Sequence, residues 1–275
     1  MVTQSNQSNR QHSCCFIIWH RLRKLTKQRK FNGMNYVVKN NWQFDTKKMQ
    51  TELQILLNIN EINQRRIGGL HGISLTSQDG SLQSGFGFNV GIQYPKYPHQ
   101  DFSSNDPRVY FDLDFARENK VYHMLDYNIP TTAYTGYFKE IIEFLHEKNM
   151  NPRRCRLSYL PPNGIINRHT DGNFYRFHIP IHTEGTNFVH GDIDYILEEG
   201  NSYLAYVHPY HYVKNQGSAD RWHFVADVWD TEGHFEIGKV SKEQLNIELE
   251  NATLWRDYVD NTRNTPNKIL VGEKN

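Results

Sequence analysis

Cysteine is scarce in this chain: Cys14, Cys15 and Cys155 are the only three in 275 residues. They cannot all pair, and two are adjacent, so no disulfide framework is expected and a reducing, cytoplasmic setting fits best. Long apolar runs are also missing. The greasy stretch Cys14 to Trp19 falls far short of the roughly 20 residues needed to span a bilayer, so the chain reads as soluble with no membrane partner. Acidic and basic residues nearly cancel, leaving a formal net charge of +1 and no global field that would favour nucleic acid. No internal repeat is visible. What is present is a hydrophobic fraction of 37% with 13% aromatics, enough for a sizeable core, and a length that suits one main domain.

Residues 1–33 contain no Asp or Glu but carry Arg10, Arg21, Arg23, Lys24, Lys27, Arg29 and Lys30 among Ser, Asn and Gln. This composition predicts a disordered basic leader; an organelle-targeting segment, or a start site really at Met34, would read the same way. A single domain is expected over 34–260, with its core at 154–230, followed by a C-terminal tail at 261–275. Met49, Leu53, Leu56 and Leu57 share one helical face from Asp45 onward, and Tyr134, Phe138, Ile141, Ile142 and Leu145 do so between Thr131 and Lys148. A last helix is expected from Ser241, capped by its hydroxyl with Gln244 reaching back, and burying Leu245, Leu249 and Trp255. Between Gly68 and Pro98, and again from Arg154 to Trp229, short apolar stretches alternate with turn signals. Strands are predicted at Arg156–Leu160, Tyr175–His182, Ser202–Val207 and Arg221–Val228, a pattern of sandwiches and barrels.

The chemistry sits within these strands. Residues two apart on an extended strand face the same side, so the His169 imidazole and Asp171 carboxylate can converge on one ion, with His211 added from a later strand. Two imidazoles and a carboxylate leave open positions, as non-haem Fe(II) oxygenases require for a keto acid and oxygen. A closed structural zinc site would want a fourth ligand. His-x-Asp alone is a weak signal among 14 histidines, and His190-Gly191-Asp192 is a rival; the first pair leaves room for intervening strands before His211.

Arg221 shares a strand face with His223 and Asp227. A buried guanidinium needs a partner, and the distal carboxylate of 2-oxoglutarate would supply one through paired hydrogen bonds. A structural pair with Asp227 or Glu199 is the alternative. Arg176 and His178 form a second polar pair, on a strand otherwise lined by Phe177, Ile179 and Ile181, and could line the same cavity or a solvated outer face.

The runs LSYLPPNGIINRHTDGNFYRFHIPIHTEG and LEEGNSYLAYVHPYHYVKNQGSADRWHFVADVWD together resemble the aspartyl/asparaginyl β-hydroxylase family of Fe(II)- and 2-oxoglutarate-dependent dioxygenases over roughly Arg156 to Asp230. The resemblance implies a double-stranded β-helix, a mainly β jelly roll with flanking α-helices. It implies metal histidines at His169 and His211 and a co-substrate arginine at Arg221. It further implies that Arg176, His178 and Ser158 contribute to the keto acid pocket. The animal aspartyl hydroxylase of that family has glycine in place of the carboxylate ligand, whereas this chain has Asp171 and looks more like members with the full triad, including free-amino-acid hydroxylases. His223 stands where an apolar residue is expected. No helical-repeat region like that of the animal enzyme is visible.

The expectation is therefore an Fe(II)- and 2-oxoglutarate-dependent hydroxylase, using O2, that acts on an amino acid or on a peptidyl Asp, Asn or Pro side chain. Its partners would be a small-molecule or peptide substrate, admitted beside loops 172–175 and 80–88. Oligomeric state is not legible. A metal-binding jelly roll without turnover, such as a sensor or ligand carrier, is the alternative, and a zinc hydrolase is disfavoured because no general base stands at a zincin-like spacing.

Overall fold

The computed structural model describes residues 35–59, 63–64, 71–84, 89–90, 121–171, 174–190 and 193–260. The expected basic leader 1–33 and tail 261–275 lie outside them. Eleven strands build two antiparallel sheets: β1 (Val37–Gln43), β2 (Asn63–Gln64), β3 (His71–Ser74), β4 (Arg153–Leu160), β5 (Ile165–His169), β6 (Tyr175–His182), β7 (Thr186–His190), β8 (Ile193–Tyr195), β9 (Asn201–Tyr206), β10 (His211–Asn215) and β11 (Arg221–Val228). The larger sheet runs β1-β9-β6-β11-β4-β3-β2, and the smaller β8-β7-β10-β5. Three helices accompany them: α1 (Thr46–Ile59), α2 (Gly136–Glu147) and α3 (Lys242–Val259). The architecture is mainly antiparallel β, the expected jelly-roll class with flanking helices.

Alternation on the central strands explains both the packing and the site. On β11, Trp222, Phe224, Ala226 and Val228 join a core with Cys155 and Leu157 of β4, Phe177, Ile179 and Ile181 of β6, Met49, Leu53 and Leu56 of α1, and Phe138, Ile141, Ile142 and Leu145 of α2. The intervening residues Arg221, His223 and Asp227 must then face the opposite side, because side chains two apart share a face. They are buried too. Phe188 of the smaller sheet lies 5.6 Å from the ring of His178, so the polar face of β6 looks toward the second sheet.

Asn215 ties the sheets together at one end. Its amide donates to the carbonyls of Leu160, Pro161 and Ala219 at 3.0, 3.1 and 2.8 Å, and its Oδ1 accepts from the Gly217 backbone N–H at 3.1 Å. This closes the loop between β10 and β11 against the turn that leads into β5. The strands carrying His169, His211 and Arg221 thus share one junction.

Several local expectations are refined. The second helix starts at Gly136, after Tyr134, with Thr135 before it in an extended conformation. Ser241 Oγ does accept from the Gln244 backbone N–H at 3.0 Å, but the Gln244 side chain donates forward to Glu248 at 2.7 Å, so the box is only half formed. Leu249 is exposed, while Leu245, Ala252 and Trp255 face inward. Among the described residues no helix is long and apolar enough to cross a membrane.

Phe224 is fully buried and packs between the rings of Phe138 and Phe177, each 6.4 Å away. Phe224→Ala should cost about 3–5 kcal/mol of stability, the usual range for emptying an aromatic site in a rigid core. Urea unfolding would read this as a lowered midpoint with an unchanged slope. A loss below about 1 kcal/mol would mean that the two-helix layer collapses freely onto the sheet.

Candidate metal and anion site

His169 ends β5, and His211 begins β10 directly across the ladder from it, an antiparallel pair whose ring centres are 4.3 Å apart. Asp171 follows just beyond β5, its backbone N–H donating to the Val207 carbonyl at 3.0 Å. One Asp171 oxygen lies 3.6 Å from His169 Nε2 and 3.4 Å from His211 Nε2. Among the described residues these three form the one group of His, Cys, Asp or Glu side chains spaced to hold a metal ion.

The backbone fixes which ring nitrogens face that point. His169 Nδ1 lies 2.6 Å from the Asn167 carbonyl, and His211 Nδ1 lies 3.0 Å from the Pro209 carbonyl. A carbonyl can only accept, so both Nδ1 atoms carry hydrogen and both Nε2 atoms of the neutral rings present lone pairs. Burial also lowers the His211 pKa. In the neutral rings, two lone pairs and a carboxylate oxygen converge on a site suited to a cation, and His211 Nε2 is buried with no hydrogen-bond partner. The donor set, two imidazoles and one carboxylate, fits Fe(II) with positions left open.

Asp171 is also held from behind. Arg176 Nη1 donates to its Oδ2 at 2.7 Å, while Arg176 Nε donates to Asp227 Oδ1 at 2.9 Å. Burial alone would raise the Asp171 pKa, but the Arg176 guanidinium together with His169 and His211 outweighs it, and the carboxyl is held well below its ordinary range. Asp227 is fully buried, and Arg154 and Arg156 also approach it, at 4.0 and 3.9 Å. Arg154 sits where the β4–β11 register shifts, at a backbone φ of 49°, and its guanidinium covers the Tyr127 ring. This local bulge brings it beside Arg156 on the same carboxylate.

Arg221 contrasts with these. It is 2% exposed, and among the described residues no carboxylate lies within ion-pair distance of it. Burial brings its pKa down to about 9. Neither structural partner considered for it is available: Asp227 is taken by the three other arginines, and Glu199 accepts from the Thr183 backbone N–H. Instead Arg221 Nη2 donates to His223 Nδ1 at 2.8 Å. His178 stands beside this pair, its ring 5.9 Å from that of His223. Burial, then Arg221, Arg176 and Arg156 in turn, drive its pKa well below the usual value. Arg221 Nε, His223 Nε2 and both ring nitrogens of His178 are buried without partners. Ser158 is buried directly across the ladder from His223.

Thus all seven residues expected from the sequence gather between the sheets. His169, Asp171 and His211 converge; Arg221, His178 and Ser158 lie together; Arg176 is engaged by two carboxylates. The rival His190 lies directly across from His211, ring centres 5.5 Å apart and nearly parallel, with Nε2 bonded to the Tyr206 carbonyl. Gly191 and Asp192 lie outside the described residues, as do residues 85–88 of one expected entry loop and 172–173 of the other. Arg154, Arg156 and the anchor role of Asp227 were missed. The signal for the first two was the alternation Arg154-x-Arg156-x-Ser158, which runs into the predicted strand Arg156–Leu160 from just before its start.

Comparison with known proteins gives a match of residues 103–231 to the family model for aspartyl/asparaginyl β-hydroxylase. No curated protein matches the chain. Solved structures with similarity include a Pseudomonas putida prolyl-4-hydroxylase, 10% identical over 71% of this chain and 93% of that one, at a TM-score of 0.37. A Burkholderia pseudomallei oxidoreductase of the 2OG-Fe(II) oxygenase family is 14% identical over 34% and 56%, at 0.30. A cupin domain from Bordetella pertussis is 17% identical over 27% and 78%, at 0.25. The overlaps are low, and nothing about this chain's chemistry follows from them.

The buried histidines make stability depend on pH. Burial holds His178 and His223 well below the ordinary 6.5, His190 at about 4 and His123 at about 3. A depressed value means that between it and 6.5 the unfolded chain binds a proton that the folded chain refuses. Stability is then complete above about pH 6.5 and falls as pH drops, by up to about 1.4 kcal/mol per pH unit for each histidine. Urea unfolding of the metal-free protein from pH 7.5 to 4.5 should show that decline. His123→Asn, which can still accept from the Leu125 N–H, should flatten the slope by about one proton. An unchanged slope would remove His123 from the account.

Proposed function

We propose, from the match of residues 103–231 to the family model for aspartyl/asparaginyl β-hydroxylase together with the His169, Asp171 and His211 cluster, that the chain is an Fe(II)- and 2-oxoglutarate-dependent hydroxylase. Its substrate on this reading is a free amino acid or a peptidyl Asp, Asn or Pro side chain. The observation that carries this reading is how the buried unpartnered atoms divide. At the metal end the unpartnered atom is His211 Nε2, a lone-pair nitrogen in the neutral ring, and with His169 Nε2 and the Asp171 carboxylate beside it that end calls for a cation. At Arg221 and His223 they are donors: His223 accepts at Nδ1, so in the neutral ring Nε2 holds the hydrogen, and Arg221 Nε–H is equally unused. That end calls for an anion.

His169, Asp171 and His211 would hold the iron, which with the keto acid and oxygen supplies the oxidising power for C–H hydroxylation. The protein supplies placement. The backbone carbonyls of Asn167 and Pro209 keep both imidazoles in the tautomer that can ligate. Arg221 and His223 would grip the distal carboxylate, with Ser158 and His178 beside them. Burial of this pocket excludes water and strengthens each of those contacts. Asp171 in place of the glycine of the animal aspartyl hydroxylase supports a relation to members with a full triad, and so a small substrate. A screen of free amino acids and short peptides, scored by succinate release over the uncoupled background, tests the substrate class.

Two outcomes follow. His169→Ala or His211→Ala should abolish metal binding and turnover in a folded protein, and Asp171→Gly should be milder; retained metal affinity in both histidine variants would displace the triad. Arg221→Ala should raise the Kd for 2-oxoglutarate tens- to thousands-fold, from about 2–5 kcal/mol for truncating one side of a buried charge pair. Metal affinity should hardly move. Isotherms with an inert divalent metal would show this, and an unchanged keto acid affinity would make Arg221 structural.

A further inference from the structure

Among the described residues, Arg176 hydrogen-bonds a ligand of the candidate metal site. It lies directly across the ladder from Asp227, on adjacent strands β6 and β11. Its Nε donates to Asp227 Oδ1 at 2.9 Å, its Nη1 donates to Asp171 Oδ2 at 2.7 Å, and the Phe174 ring lies under the guanidinium at 5.2 Å. A guanidinium offers two edges for gripping a carboxylate with paired N–H groups. Each edge here has one N–H already given to a protein carboxylate. By contrast, both nitrogens of the neighbouring His178 are unused. The two members of the Arg-x-His pair are therefore in different situations.

Asp171 needs such a support. It stands beyond the end of β5, so its side chain has no ladder neighbour to orient it. Asp227, on the other hand, is fixed: it is fully buried in the centre of the larger sheet, with Arg154 and Arg156 close by. The line Asp227–Arg176–Asp171 transmits that rigidity from the sheet to the carboxylate.

We propose that Arg176 is a positioning residue that aims the Asp171 carboxylate at the metal, braced by Asp227, and is not a binder of the keto acid. The inference rests on reading His169, Asp171 and His211 as the metal site. It also connects one departure of this chain from the animal aspartyl hydroxylase pattern, Asp171 in place of glycine, with the work of Arg176. Where glycine replaces the carboxylate, an arginine at this position has no such ligand to hold and is free for the co-substrate; with Asp171 present, one N–H on each edge is committed, and no edge is left whole for a paired grip.

The test separates metal from keto acid. Co(II) alone would be titrated into the full-length apoprotein and its Arg176→Gln, Arg176→Lys, Asp171→Gly and Asp171→Gly/Arg176→Gln variants. 2-Oxoglutarate would then be titrated at saturating Co(II). Folding is checked by circular dichroism and melting; Arg176→Lys keeps the charge if the glutamine variant is unstable. Arg176→Gln should weaken Co(II) about 10–100-fold, the usual cost of removing an outer partner of a metal ligand. Its effect on keto acid affinity should be smaller than its effect on the metal. In the Asp171→Gly background the same substitution should change Co(II) affinity by less than about two-fold, because the group it positions is gone. A keto acid loss equal to or larger than the metal loss, or an equal metal loss with and without Asp171, overturns the proposal. If the wild-type protein binds Co(II) but no 2-oxoglutarate, the hydroxylase reading fails, while the comparison of Co(II) affinities still decides the role of Arg176.

Discussion

Among the described residues, four guanidinium groups, those of Arg154, Arg156, Arg176 and Arg221, lie in the chamber between the two sheets with only two carboxylates, Asp171 and Asp227; Arg176 and Asp171 are partly buried and the others fully so. A sandwich interior of this kind ordinarily excludes charge, since each unpaired ion costs several kcal/mol. Three of the arginines share Asp227, and one of these also takes Asp171. That leaves Arg221 as a cation with no anion and only a histidine nitrogen for company. The imbalance defines what the chamber can accept: a divalent cation where the lone pairs point, and an anion where the donors point. A protein selected for stability alone would have filled the same volume with Val and Leu.

The cost is carried by the face on the other side of the same strands. β11 is buried along its whole length, with polar residues inward and Trp222, Phe224, Ala226 and Val228 against the helices. Those helices bury the aromatic face that lets β11 remain central despite its charged inner side. Replacing an apolar residue of the outer face and replacing a charged one of the inner face would therefore damage the protein by different routes, the first through cavity formation and the second through orphaned charge.

Much of this was legible in the sequence, and the reason is periodicity. The strands Tyr175–His182 and Arg221–Val228 have the predicted bounds, since alternation marks them at both ends. The grouping of His169, Asp171 and His211 needed more than a two-residue spacing: His-x-Asp occurs twice, and the choice rested on the path to His211. The reason given, that His190 is too near His211 in sequence, does not separate them in space, because β7 and β10 pair and the two rings stack. What distinguishes them is orientation. His190 spends Nε2 on a backbone carbonyl, whereas His211 spends Nδ1 and leaves Nε2 for the triad. No spacing rule reports which nitrogen a carbonyl will occupy. The Arg154 bulge was hidden for a similar reason, since it arises from a register shift between strands whose sequences are some 70 residues apart.

The same distinction bears on Arg176, which the family resemblance placed with the co-substrate. An Arg-x-His pair on a strand predicts that both side chains face the chamber, and they do. It says nothing of which neighbour each will meet. Arg176 lies opposite Asp227 and within reach of Asp171, and two charge-assisted bonds below 3 Å to protein carboxylates outweigh a third, competing partner unless that partner displaces one of them. His178, two residues along, faces Phe188 and His223, neither of which presents a carboxylate, so its nitrogens stay free. The presence or absence of one carboxylate, at position 171, thus changes the work of a residue five positions away. Transfer of roles between relatives that differ there has to be made side chain by side chain.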